Sequence, residues 1–159
     1  VVTFVENHDL RDEGRPIVND KLLAYSYILT HEGYPCVFWH DYFNLNLALD
    51  GTPHGIAALV NAHEKYAGGN TEVLYVDDNL YVMQRTGFAD KPGLIYVLNN
   101  RGDNWNGRTV TTKFINASFQ PVAWWSGTDR ARPINQPTDR DGRAQFYAPP
   151  RGYAVYAVK

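Results

Sequence analysis

An α/β front section followed by an all-β rear section is the fold class this sequence predicts, and three observations predict it. Two continuous apolar runs, VVTFV at 1–5 and YPCVFW at 34–39, each end in a polar cluster and are each followed by a segment with helical spacing. From about residue 71 the period changes from helical to alternating. The later segments are short and are separated by turn-forming stretches such as NRGDNWNG and APPRG.

VVTFV, apolar and largely β-branched, has the pattern of a strand buried on both faces, as in a parallel sheet covered by helices. ENHD marks its end. Asp20 is placed to cap a helix in which Leu22, Leu23, Tyr25, Tyr27, Ile28 and Leu29 are spaced for burial, with Gly33 as its stop. YPCVFW is the second buried run, with Cys36 inside it as a small core residue, and HDY follows it as NHD follows the first. Thr52-Pro53 is a helix start, Ile56, Leu59, Val60, His63 and Ala67 keep one face, and Gly68-Gly69 ends the helix. Residues 1–70 therefore read β, α, β, α.

Residues 71–159 read as about seven strands, in the range of a small antiparallel sandwich or Greek-key domain. EVLYV and LYVMQR flank Asp77-Asp78-Asn79 as a hairpin, and LIYVL, RTVTTKFI, FQPVAWW, GRAQFY and YAVYAV follow. In RTVTTKFI, Val110, Thr112 and Phe114 share one face while Thr109, Thr111 and Lys113 share the other, so this sheet has a wet side.

Composition narrows the partners. The 159 residues are 44% hydrophobic and 14% aromatic, enough for a packed core. A formal charge of −2, from 15 basic and 17 acidic residues, provides no electropositive field for nucleic acid and no polybasic patch for anionic lipid. The longest apolar runs reach about half of the roughly 20 residues that cross a bilayer, and no signal-peptide pattern opens the chain. The single cysteine excludes an internal disulfide and a cysteine-based zinc site. Two βα units are too few for a parallel sheet, and a closed (β/α)8 barrel takes roughly 250 residues. Residues 1–70 are thus expected to be the last quarter of a larger barrel, with more chain before Val1. In such barrels the chemistry sits where strands end, which is where ENHD and HDY fall.

At this point the residues carry a family resemblance. TFVENHD at 3–9 resembles the motif that ends the seventh barrel strand in α-amylases of glycoside hydrolase family 13, and NDKLLAYSYILTHEGYPCVFWHDYF is similar to the seventh helix and eighth strand of that family. The resemblance covers essentially the whole chain, because these enzymes follow the barrel with an antiparallel domain C, here 71–159. It implies a partial (β/α)8 barrel (β7-α7-β8-α8) joined to an antiparallel β domain, from a retaining hydrolase of α-1,4-glucosidic bonds in starch and related α-glucans. It implies Asp9 as the carboxylate that stabilises the distorted, oxocarbenium-like sugar, and His8 as a hydrogen-bond partner of the same sugar; the acceptor and donor roles agree with the chemistry of vicinal hydroxyls.

Retaining glycosidases also need a nucleophile and a general acid, two carboxyls roughly 5–5.5 Å apart. The family's motifs for them resemble G-F-R-x-D and E-x-W, and neither occurs here. Asp12, Glu13 and Asp41 lie in contexts that do not match, so the chain alone is expected to be inert and to need the N-terminal part of the barrel as partner. Calcium is implied for the parent, through a part of the barrel absent here, and an extracellular or periplasmic location is expected. Glu6 is given no catalytic role.

Other readings stay open. His40 and Asp41 end the second strand on the same barrel face and either line the substrate cleft or brace a loop; together with His8 and Asp9 they also form a candidate metal centre. His63 is read as a packing residue or a surface hydrogen-bond former rather than a ligand, and Arg11 and Arg15 as solvated loop charges or as contacts to the cleft or an anion. The aspartates Asp77, Asp78, Asp103, Asp139 and Asp141 are turn formers without calcium-loop spacing. Trp105 and one of Trp124 and Trp125 are candidates to stack on sugars, which is the alternative of a noncatalytic glucan-binding or structural module. A sister specificity, α-glucosidase or transglycosidase, is a further alternative.

Overall fold

The computed structural model describes all of residues 1–159. The front section holds β1 (Val2–Phe4), α1 (His8–Asp12), α2 (Lys21–Thr30), β2 (Tyr34–Cys36), a π-helical turn at His40–Asn44, and α3 (Ile56–Tyr66). The strands β3 (Thr71–Val76), β4 (Leu80–Arg85), β5 (Leu94–Asn99), β6 (Asn106–Thr111), β7 (Ser118–Ser126), β8 (Gln136–Pro137), β9 (Arg143–Ala148) and β10 (Gly152–Val158) follow. β1 and β2 pair in parallel. All later ladders are antiparallel: a six-stranded sheet in the order β3-β4-β5-β10-β7-β8, and a separate β6-β9 ribbon.

The six-stranded sheet is the middle of three layers, and strand alternation assigns its two faces. Leu94 and Tyr96 of β5, Met83 of β4, and Tyr153 and Val155 of β10 share a core with Leu22, Tyr25 and Leu29 of α2 and Ile56, Leu59 and Ala62 of α3. Their neighbours Ile95, Val97, Val82, Ala154 and Tyr156 pack instead against Val110 of β6 and Ala144, Phe146 and Ala148 of β9. Phe146 meets Phe119 and Tyr156 edge to face, with centroids 5.4 and 5.2 Å apart, the geometry that the ring quadrupole favours. The wet side read from RTVTTKFI belongs to the outer ribbon, where Thr109, Thr111 and Lys113 are exposed. The main sheet has no such side near its centre, where helices cover one face and the ribbon the other.

Polar bonds lock the helical layer to the sheet. Ser26 and Tyr96 hydroxyls lie 2.8 Å apart, and the Tyr153 hydroxyl donates to His54 O at 3.0 Å. Buried Arg85 of β4 donates to Thr30 O at the end of α2 and to Gly69 O before β3.

Several local expectations change. β1 spans three residues, and Val1, Val2 and Phe4 are exposed, because β1 has one strand neighbour and only partial cover from α2. Cys36 is exposed rather than buried for the same reason. Asp20 has a left-handed backbone (φ 56°) and makes no side-chain cap; its carboxylate receives Arg151 at 2.7 Å. The last helix starts at Ile56 rather than at Thr52-Pro53, since Ile56 and Ala57 N–H groups bond the carbonyls of Leu47 and Ala48 in the preceding loop. Gly55 permits that approach, for a Cβ there would lie 2.3 Å from Ala48 O. Gln136–Pro137 adds an eighth strand inside a stretch read as loop.

His31, half-buried after α2, stacks on Tyr27 with centroids 3.7 Å apart. Its Nδ1 donates to Tyr27 O at 2.7 Å, so in the neutral ring Nε2 accepts from the Tyr81 hydroxyl at 2.8 Å. Burial lowers its pKa from the usual 6.5, with the Tyr27 carbonyl opposing and the Arg85 charge assisting. Below pH 6.5 the unfolded chain therefore binds a proton that the folded chain refuses. Its contribution to stability is present above that pH and is lost as pH falls toward the folded value. Urea unfolding across pH 5–8 is expected to show this loss, and His31→Gln to flatten it.

Candidate functional site

Because β1 and β2 are parallel, with Val2 opposite Tyr34 and Phe4 opposite Cys36, their C-terminal ends lie side by side. The polar clusters ENHD and HDY therefore emerge at one edge. After β1 the chain turns into α1, whose cap is Asn7: its Oδ1 accepts from Leu10 N at 3.0 Å. His8 and Asp9 open this turn, with side chains 76% and 72% exposed and with His8 Nε2 3.1 Å from Asp9 Oδ1. An exposed carboxylate beside an imidazole offers an acceptor and a donor to adjacent hydroxyls.

Beneath this pair is a buried ionic network that the sequence reading missed. The Lys21 ammonium, at the start of α2, sits between Glu6 Oε2 and Asp41 Oδ1, and all three residues are buried. Arg11 reaches the other Glu6 oxygen at 3.3 Å. The Tyr25 hydroxyl donates to Asp41 Oδ2 at 2.8 Å and accepts from Phe38 N at 3.2 Å. Burial, and next the bond to Asp41, pushes the Tyr25 phenol well above its ordinary pKa, so it serves as a neutral donor. Two carboxylates and two cations balance, which is the condition for keeping charge inside a protein. The readable signal was Lys21 itself, a charge four residues before Tyr25 on a helix face otherwise built for burial.

The sequence-predicted residues thus divide. His8 and Asp9 come together at the surface. His40 stands at the start of the π-helical turn, its side chain 28% exposed and its buried Nδ1 without a hydrogen-bond partner. Asp41, read as lining the cleft or bracing a loop, is fully buried with both oxygens engaged by Lys21 and Tyr25, which is the bracing role. His40 Nδ1 lies 3.9 Å from Asp41 Oδ1. No three His, Cys, Asp or Glu side chains gather as metal ligands would. Trp39, which the sequence reading did not single out, is 68% exposed and packs on Phe43 with centroids 4.0 Å apart, an apolar surface at the same edge.

The remaining candidates are dispersed. His63 Nδ1 donates to Leu29 O at 3.0 Å and ties α3 to α2. Arg15 pairs with Glu13. Trp124 is buried and Trp125 packs toward the helices. Trp105 donates to Asp129 at 2.6 Å and lines a cavity of about 290 Å³ with Arg132, Pro133, Ile134 and Tyr147.

Residues 94–157 match the α-amylase C-terminal family. The chain is 38% identical over 100 residues to an α-amylase of Geobacillus stearothermophilus, covering 58% of this chain and 18% of that protein. It is 30% identical over 92 residues to the α-amylase type B isozyme of Hordeum vulgare, covering 54% of this chain and 57% of that one. Among solved structures, an Anoxybacillus α-amylase superposes with a TM-score of 0.67 at 17% identity, covering 99% of this chain and 37% of the other. The Gamma-CGTase of alkalophilic Bacillus clarkii gives 0.66 at 17% identity, covering 99% and 26%. The chain spans less than two thirds of each of these proteins, and at 17% identity the structural likeness shows the fold alone.

Removing Asp41 would leave Lys21 and Arg11 in excess over Glu6, and breaking a buried pair costs about 3–5 kcal/mol. Urea unfolding at pH 7 is expected to show a loss of that size for Asp41→Ala.

Proposed function

With an α-amylase C-terminal domain at residues 94–157 of a chain homologous to α-amylases, we propose that this chain is the C-terminal portion of a retaining glycoside hydrolase of family 13 that cleaves α-1,4-glucosidic bonds in starch and related α-glucans. The observation that carries this reading is the exposed His8-Asp9 pair at the C-terminal end of β1, raised on a buried ionic network. Residues 1–70 are then the last two βα units of a (β/α)8 barrel, and 71–159 its antiparallel domain C. The open β1-β2 pair supports this: exposed Val1, Val2, Phe4 and Tyr34 are the apolar surface that neighbouring strands and helices would cover.

In this mechanism Asp9 accepts hydrogen bonds from two adjacent hydroxyls of the sugar at the bond being cleaved. As positive charge builds on the ring those hydroxyls become better donors, so the bonds tighten in the transition state more than in the ground state. His8 donates to a neighbouring hydroxyl, and His40 and the Trp39 face flank the same edge. The nucleophile and the general acid come from the preceding barrel strands, so the 159-residue chain alone does not hydrolyse starch. Calcium, in this reading, is held elsewhere in the parent and enters no step here, and the parent acts outside the cell or in the periplasm.

In the intact protein Asp9→Asn is expected to reduce soluble-starch hydrolysis by a factor of about a thousand, the scale of losing one transition-state contact, while circular dichroism stays unchanged. Substantial turnover in a folded Asp9→Asn variant would defeat the reading. A second reading, glucan binding without catalysis, draws on the Trp105 cavity with its aromatic walls and its arginine. It predicts that the chain is retarded in starch gels and that Trp105→Ala abolishes the retardation; migration unaffected by starch would sink it.

A further inference from the structure

We infer that Lys21 is a positioning residue for the His8-Asp9 pair: by clamping Glu6 against Asp41 it fixes the short turn that presents Asp9. This rests on the reading of His8 and Asp9 as the sugar-binding pair. α1 has only five residues, far below the length at which a helix holds itself in water. The His8 and Asp9 side chains bond only to each other, and their surroundings are mostly solvent.

What fixes the turn is its two ends. Glu6, two residues before His8, is buried and held by Lys21; Arg11, two residues after Asp9, returns to the same Glu6 carboxylate at 3.3 Å. His8 and Asp9 are thus bracketed by two residues that share one anchor. Lys21 is the first residue of the ten-residue α2, whose Leu22, Tyr25 and Leu29 are packed in the core. The anchor therefore belongs to the rigid body of the protein. Through Asp41, the same ammonium holds the residue after His40, so both strand ends are referred to one point.

A carboxylate displaced by about 1 Å from its productive position loses on the order of a hundredfold in rate. The contact it serves tightens in the transition state, so the loss falls on kcat more than on KM. A purely structural lysine would lower the melting temperature and leave kcat per folded molecule unchanged.

The test is starch hydrolysis by the intact protein, assayed well below each variant's melting temperature with the folded fraction measured by circular dichroism. Lys21→Met is expected to lower kcat about a hundredfold with a much smaller change in KM, and Lys21→Arg, which keeps the charge, to recover most of it. A kcat for folded Lys21→Met close to that of the unaltered protein would overturn the inference. Should Lys21→Met fail to fold, Glu6→Gln replaces it: the shape stays, Lys21 keeps Asp41, and a fall in kcat is again required. Asp9→Asn is measured alongside. If it retains turnover, the underlying reading fails and the inference with it; if it is inactive while Lys21→Met and Glu6→Gln turn over normally, the positioning role alone is overturned.

Discussion

The Lys21 ammonium lies between two buried carboxylates, and the edge of the molecule that bears the candidate chemistry depends on it. Glu6 follows β1, Asp41 follows β2, and Lys21 opens the helix between them. Such a cluster is a weak source of net stability, because desolvation of the charges offsets most of their attraction. It is a strong source of specificity, because each partner left alone inside the protein is costly. The network therefore selects one arrangement of the two strand ends.

That arrangement needs a foundation, and the six-stranded sheet provides it. β10 is buried along nearly its whole length because it lies between β5 and β7 with helices on one face and the β6-β9 ribbon on the other. α2 and α3 rest on this sheet through Ser26, Tyr153 and the aliphatic residues around Tyr25. Tyr25 belongs to both systems: its ring is core, and its hydroxyl closes the network on Asp41. The path from the packed sheet to the exposed His8-Asp9 pair is thus short, through α2, Lys21 and Glu6.

Much of this was legible in the sequence. The alternation after residue 71 gave the antiparallel strands, and the motif at 3–9 pointed to His8 and Asp9. The two-sided burial of β5 and β10 was not legible, since a continuous apolar run looks alike in a parallel sheet and in a sheet covered by helices and a ribbon. Thr52-Pro53 misled because the Thr52 hydroxyl bonds Leu49 O within a turn, leaving Gly55 as the N-cap of α3. Asp41 stayed between two readings for a more instructive reason. An aspartate after a strand has the same local sequence whether it faces a cleft or a buried lysine, and the partner that decides lies twenty residues away. Local spacing does not show such contacts; the unusual feature was a lysine on a buried helix face.

In the proposed reading a fixed internal ion network presents Asp9 to a sugar ring. Its most direct test is a crystal structure of the intact protein with a bound maltooligosaccharide. One glucose ring is expected with hydroxyls about 3 Å from the Asp9 carboxylate and the His8 imidazole, and Lys21 still between Glu6 and Asp41. A sugar bound elsewhere, with His8 and Asp9 left facing solvent, would contradict it.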